Sequence, residues 1–307
     1  MALSRAAIRA ALEDGLLSFP VTDFDEQGKF RGDSFAARLD WFVEHQVSAI
    51  FVAGGTGEFF SLSSDEYRDI VKITADTVRE RIPMISSVGR SIPDAIASAA
   101  VAEAAGMNAL LLMPPYLTEC PPEGIYAYAK TILNHTSLPV IYYNRGNGVL
   151  PAAWVQKLAD ECENLIGLKD GTGNMQELND TIKTVGSRLS YIGGVPTAEI
   201  ISEAYLSIGV NTYSSAVFNF VPRMAMQFYA ALRAGNKERV SRIIHDFFIP
   251  FVRLRGRKSG YAVSLIKAGA SLIGKTAGAV RPPLSMPTTE EISQLEALIR
   301  KASEWEG

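Results

Sequence analysis

Eight short runs of almost unbroken apolar character constrain this chain more than any other feature. They begin at Leu16 ("LLSFPVT"), Ala49 ("AIFVAGG"), Pro83 ("PMISSVG"), Ala109 ("ALLLMPP"), Pro139 ("PVIYYN"), Leu165 ("LIGLKD"), Leu189 ("LSYIGG") and Val210 ("VNTYSSA"). A strand with one wet face alternates apolar and polar residues. These runs do not alternate, so they read as strands covered on both faces, the condition of a parallel sheet.

Helical patterns fill the gaps. In "SSDEYRDIVKITADTVRER", Ser63 or Ser64 is placed to cap a helix, Glu66 falls in its first turn, and Ile70, Ile73 and Val78 form an apolar stripe. "SIPDAIASAAVAEAAGM" and "PEGIYAYAKTIL" behave alike. Strands alternating with helices at spacings of about 20 to 35 residues are what a (β/α)8 TIM barrel produces. Periodicity alone also admits an open doubly wound sheet. Beyond residue 221 the strand runs stop and helical patterns continue to the end. The expected organisation is a single domain over 1–307, with a barrel over 1–221 and a C-terminal helical appendage over 222–307 packed on it.

The chain has 307 residues and a formal net charge of -3 with the two signs interspersed. It offers no basic stripe for nucleic acid or an anionic membrane surface. Cys120 and Cys162 are its two cysteines, which points to a reducing, cytoplasmic setting. His45, His135 and His245 are scattered, without the spacing of a metal site or a histidine-centred triad. No apolar stretch approaches the ~20 residues of a membrane span. The opening "MALSRAAIRAALEDGLLSF" has the arginines and alanines of a transit peptide, but Glu13 and Asp14 argue against one. A small-molecule substrate is the expectation.

Three glycine-containing stretches invite a nucleotide reading. "GASLIGKT", Gly269 to Thr276, matches the phosphate-binding P-loop pattern. However, Leu272 and Ile273 would stand exposed in such a loop, whereas Leu265, Gly269, Leu272 and Ile273 share one face of a helix. Nucleotide binding there is the rival reading from another class. "GGTGEFF" follows a strand but has Phe60 where the dinucleotide fingerprint needs its third glycine, and "GTGNMQ" fails in the same way at Gln176. The first of these loops still offers backbone N–H groups at a helix N-terminus, suited to a carboxylate. A tight turn that merely needs glycine is the plainer account. Its place at the C-terminal end of a strand, where barrel active sites are built, favours function.

Lys169 closes the sixth run. Side chains alternate along a strand, so Leu168 and Asp170 share one face and Lys169 takes the other. If that face is the barrel interior, the amine is desolvated, its charged form is disfavoured, and it becomes a nucleophile toward a ketone. A solvated lysine at a strand end is the alternative. One strand earlier, Tyr143 reaches the same rim and Tyr142 points the opposite way, into ordinary core.

"GGTGEFFSLSSDEY", "PVIYYN" and "GLKDGTG", in this order and spacing, resemble the dihydrodipicolinate synthase and N-acetylneuraminate lyase family of class I, Schiff-base aldolases. The similarity runs over nearly the whole chain. It implies a TIM barrel with Lys169 as the Schiff-base lysine and Tyr143 as its proton-shuttling partner. It also implies that the loop at Gly55 and Thr56 holds the carboxylate beside the substrate ketone, that the assembly is a homotetramer, and that no metal or organic cofactor takes part.

Departures from the family pattern narrow the activity. Gly55 stands where a hydroxyl residue is usual, and Leu117 where the synthases carry a tyrosine after "PY", so both hydroxyls of the usual proton relay are missing. Gly148 occupies the place of the synthase arginine beyond "YN". Arg145 instead lies two residues after Tyr143 and suits a second carboxylate through bidentate hydrogen bonds, unless it is only a solvated loop charge. "GGTGEFFSL", "YYNRGNG", "SGYAVSLIKAG" and "VRPPL" most resemble the members that dehydrate and decarboxylate a six-carbon sugar diacid. Another 2-oxo-acid aldolase or synthase of the family is the alternative, and a catalytically silent sensor barrel a further one.

Overall fold

All eight apolar runs lie in strands of one sheet. The computed structural model describes residues 3–116 and 118–305. Its elements follow as α1 (Arg5–Glu13), β1 (Leu17–Ser18), α2 (Gly32–Glu44), β2 (Ala49–Val52), α3 (Ser64–Val78), β3 (Met84–Val88), α4 (Ile92–Ala105), β4 (Ala109–Leu112), α5 (Pro122–Leu133), β5 (Val140–Asn144), α6 (Ala152–Glu161), β6 (Leu165–Asp170), α7 (Met175–Val185), β7 (Ser190–Gly193), α8 (Ser202–Ser207), β8 (Thr212–Tyr213) and α9 (Pro222–Arg233). Then come α10 (Lys237–Ile243), α11 (Ile249–Arg255), α12 (Tyr261–Leu272) and α13 (Thr289–Ala302). Among the described residues no helix is long and apolar enough to cross a membrane.

The strands pair in chain order, each parallel to the next. Closure from β8 to β1 comes through a parallel bridge between Leu17 and Ser214, with the Ser215 N–H donating to the Leu17 carbonyl at 2.8 Å. The sheet is therefore a (β/α)8 barrel, not an open doubly wound sheet. The two strands at this seam are shorter than their apolar runs. Pro20 has no N–H to offer a ladder, and the Asn219 side chain takes over, accepting from the Val21 N–H at 3.0 Å and donating to the Phe19 carbonyl at 2.9 Å.

Absence of alternation in the runs has its counterpart in two apolar layers. Leu17, Phe19, Ala49, Phe51, Ile85, Leu111, Ile141, Tyr143, Ile166 and Ile192 fill the barrel interior. Their strand neighbours, Ile50, Val52, Leu110, Leu112, Tyr142 and Leu168 among them, pack outward against the helices. α1, capped by Ser4, sends Ile8 and Leu12 into the interior layer and covers the barrel at its N-terminal end. α3 begins with the capping box expected of it, Ser63 and Glu66 each bonding the other's backbone N–H.

In the C-terminal region, α10 runs through a π turn (Ile244–Phe248) into α11. The P-loop-like stretch is the end of a helix. α12 continues to Leu272, Gly274 adopts a left-handed φ of 74°, and the Lys275 N–H returns to the Ala270 carbonyl at 2.8 Å. Gly269 is demanded by packing, because a Cβ there would stand 2.7 Å from the Phe220 ring.

Candidate active site

An irregularity in β6 aims its lysine. Pairing with β5 runs Val140 to Leu165 and then Ile141 to Gly167, so β6 carries Ile166 as an extra residue. Ile166 points into the barrel. Strict alternation from there would turn Lys169 outward, but the bulge shifts the phase, as bulges beside active sites do. Leu168 joins the outer layer, and Lys169 stands in register between Tyr143 of β5 and Ile192 of β7, both interior residues.

Lys169 is 3% exposed. Its Nζ donates to the Gly194 carbonyl at 3.1 Å and lies 3.8 Å from the Tyr143 ring centroid and 5.1 Å from that of Phe19. Burial drives the amine below the ordinary lysine range, and the neighbouring Tyr143 opposes this only in part. The result is a larger fraction of neutral, nucleophilic amine.

Tyr143 sits between two cations. Its hydroxyl donates to the Gly194 carbonyl at 3.0 Å and accepts from Arg145 Nη1 at 2.9 Å. Burial alone would raise the phenol, but the charges of Lys169 and Arg145 outweigh it and the net displacement is downward. Arg145 continues the extended backbone beyond β5, which is why it shares a face with Tyr143. Tyr142 points outward and donates to the Gly148 carbonyl. Gly148 is itself enclosed, with a notional Cβ 3.0 Å from Pro114, so the arginine that resemblance sought there would need the proline to give way by a few tenths of an ångström.

Asp170, next to the lysine, is committed to structure. It accepts from the Thr172 N–H at 2.9 Å, the Thr172 hydroxyl at 2.7 Å, the Gly173 N–H at 3.1 Å and the Tyr205 hydroxyl at 2.7 Å.

Gly55 and Thr56 lie at the C-terminal end of β2. Carbonyls of Gly54 and Gly55 accept from Phe59 and Glu58 within the turn, so the turn is self-supporting. It does not rest on the N-terminus of α3 as the sequence suggested, since a 3-10 turn (Phe59–Ser61) intervenes. Glu58 turns downward with a φ of 58°, placing Oε1 2.7 Å from Lys267 Nζ and Oε2 in reach of the Arg281 N–H at 2.8 Å. Arg281 also grips the Ser61 carbonyl at 2.9 Å. The loop is thus anchored from beneath by residues more than 200 positions away. A Cβ added at Gly55 would meet nothing within 4 Å, so the missing hydroxyl there is not a steric necessity. Leu117 lies outside the described residues.

These pieces surround one cavity of about 160 Å³. Phe19, Gly55, Thr56, Tyr143, Arg145, Lys169, Gly194 and Ser214 line it from the barrel rim, and Phe251, Arg255, Ala262, Val263 and Ile266 line it from α11 and α12. All five residues singled out in the sequence meet here. The Gly194 carbonyl and Arg255 escaped notice. Gly193-Gly194 at a strand end was a readable signal, but nothing local to "FVRLRGR" marks Arg255 as other than a charge on a helix.

A closed parallel barrel with a buried amine and a phenol opening into one cavity defines a barrel enzyme whose chemistry is that of a lysine side chain. The chain belongs to the dihydrodipicolinate synthetase family, whose pattern matches residues 13–302. A Pseudomonas putida protein named 5-dehydro-4-deoxyglucarate dehydratase is 46% identical over 294 residues, covering 96% of this chain and 97% of that one. A protein of Acinetobacter baumannii (strain AB307-0294) named "Probable 5-dehydro-4-deoxyglucarate dehydratase" is 48% identical over 292 residues, 95% of this chain and 96% of its own. Among solved structures, dihydrodipicolinate synthase from Bacillus clausii superposes with a TM-score of 0.89 at 25% identity, covering 96% of this chain and 99% of that one.

Proposed function

We propose that this protein is a 5-dehydro-4-deoxyglucarate dehydratase, a decarboxylating lyase that releases 2,5-dioxopentanoate, CO2 and water. The observation that carries the mechanism is the Lys169 amine, buried inside the barrel yet open to the cavity, with Tyr143 against it. The amine attacks the C5 ketone, and the phenol serves the proton transfers that expel water and form the imine. The imine acidifies C4. Loss of a C4 proton gives an enamine whose electron pair expels the C3 hydroxyl as water. Loss of the C2 proton and protonation at C5 turn the C2 hydroxyl into a ketone conjugated through C3=C4 and leave the lysine as an amine on C5. That ketone accepts the C5–C6 electron pair as CO2 leaves, protonation restores the C5 imine, and its hydrolysis gives the aldehyde and frees the lysine.

Gly55 and Thr56 hold the carboxylate beside the ketone, and Arg145 is a substrate-side residue that also serves the Tyr143 hydroxyl. An aldolase draws on the same imine but breaks C3–C4, so the groups around the lysine decide the outcome. Homotetrameric assembly and a cytoplasmic setting complete the proposal. Exposed Phe60 and Tyr116 support assembly, and light scattering measures it.

The decisive experiment incubates the protein with 5-dehydro-4-deoxyglucarate and follows CO2 and 2,5-dioxopentanoate, with borohydride trapping in parallel. Pyruvate and a three-carbon aldehyde acid as products would identify an aldolase instead. Lys169→Ala should remain folded and lose both turnover and trapping. A stable adduct on another lysine would overturn the assignment.

A further inference from the structure

The cavity carries an uneven charge. Lys169, Arg145 and Arg255 line it, and among the described residues no aspartate or glutamate does. Lys169 is held toward its neutral form by burial, and Arg145 donates to the Tyr143 hydroxyl. Arg255, at the C-terminal end of α11, donates to the Thr197 hydroxyl and has no carboxylate within ion-pair distance among the described residues. The one acidic side chain that acts on it is Glu199, which is buried, bonded to Ser215 at 2.6 Å, and pushed up to about 7 by that burial. A half-buried guanidinium facing a cavity without a counter-charge is stabilised by an anionic ligand.

We propose that Arg255 holds the far carboxylate of the substrate, the one remote from the ketone, and so sets the preference for a diacid. This rests on the functional reading above. The imine carbon belongs at Lys169 on the barrel rim and Arg255 lines the same cavity from α11, so a substrate tethered at Lys169 can turn its remote carboxylate toward Arg255. Thr197, with a left-handed φ of 57°, presents its hydroxyl to Arg255 and fixes the direction of the guanidinium.

The experiment compares wild type with Arg255→Met and Arg255→Lys. Substrates are the diacid and the matching six-carbon 2-oxo acid with CH2OH in place of the far carboxylate, alongside borohydride trapping of pyruvate. Arg255→Met should raise KM for the diacid by about 10- to 150-fold, the worth of a charge-assisted hydrogen bond. It should leave pyruvate trapping and use of the monoacid nearly unchanged, and Arg255→Lys should recover part of the loss. An unchanged KM for the diacid overturns the proposal, as does equal loss toward all three ligands, which makes Arg255 a structural support. Wild type that releases no CO2 from the diacid overturns the functional reading instead. Arg255 is then read by competition of 2-oxoadipate against pyruvate in trapping: selective loss of that competition in Arg255→Met supports the arginine's role, and unchanged competition refutes it.

Discussion

At the scale of the residue, the site depends on one missing side chain. A Cβ on Gly194 would fall 2.4 Å from Lys169 Nζ and 2.6 Å from the Asp170 carbonyl. The second contact is backbone and has nowhere to go. The Gly194 carbonyl also accepts from both Lys169 and Tyr143, so a shift of this turn moves the amine and the phenol together. Gly194→Ala should keep the barrel's circular dichroism and lower the rate of imine trapping by about 100-fold, the order expected when reacting groups are misplaced by an ångström. Trapping at the wild-type rate would show that the turn yields more easily than its contacts imply. Lys169 and Tyr143 were readable in advance because motif spacing and position at a strand end are local properties. Arg255 was not, because its partner is a cavity assembled from the other end of the chain.

At the scale of the element, two lysines of the C-terminal region invert the expectation their sequence raises. Lys275, in the P-loop-like stretch, is exposed and lies 5.9 Å from the Trp41 ring centroid. Lys275→Ala should change turnover little, and ATP should not raise the melting temperature of the wild type, since a ligand of the native state must stabilise it. ATP-dependent stabilisation lost in the variant would restore the nucleotide reading. Lys267, inconspicuous in the sequence, is fully buried and pairs with Glu58 beneath the Gly55 loop. Removing one partner of such a pair strands the other charge, at about 3 to 5 kcal/mol. Lys267→Met should therefore lower the denaturation midpoint markedly and weaken substrate binding with it, whereas Lys267→Met combined with Glu58→Leu should recover much of the stability. A single variant as stable as wild type would mean that Glu58 is readily neutralised in place. The bulge of β6 belongs to this scale as well. "LIGLKD" gives no sign that Ile166 is an extra residue, because the irregularity exists only relative to β5.

At the scale of the whole molecule, Glu199 makes stability depend on pH. One carboxylate oxygen accepts from Ser215, the other has no hydrogen-bond partner among the described residues, and burial raises the group from an ordinary 4.5 to about 7. The folded chain thus holds a proton that the unfolded chain has released between about pH 4.5 and 7. Stability from this group is fully present below the unfolded value and is lost as pH rises through the folded one, by up to about 3 kcal/mol. Glu199→Gln should abolish that contribution, so its melting temperature relative to wild type should climb from pH 5 to pH 8, and parallel profiles would remove Glu199 as the cause. The alternation of covered strands and helices, the cap of α3, and the order in which Gly55, Tyr143 and Lys169 arrive at strand ends are all written in the local order of residues. These follow from side-chain periodicity and backbone chemistry over a few residues. Closure of the sheet, the bulge that turns Lys169 inward, the meeting of Glu58 with Lys267, and the exposure of Arg255 to the cavity arise with the folded packing alone. Each of these compares positions far apart in the chain, where burial and charge are set by neighbours that folding alone brings together.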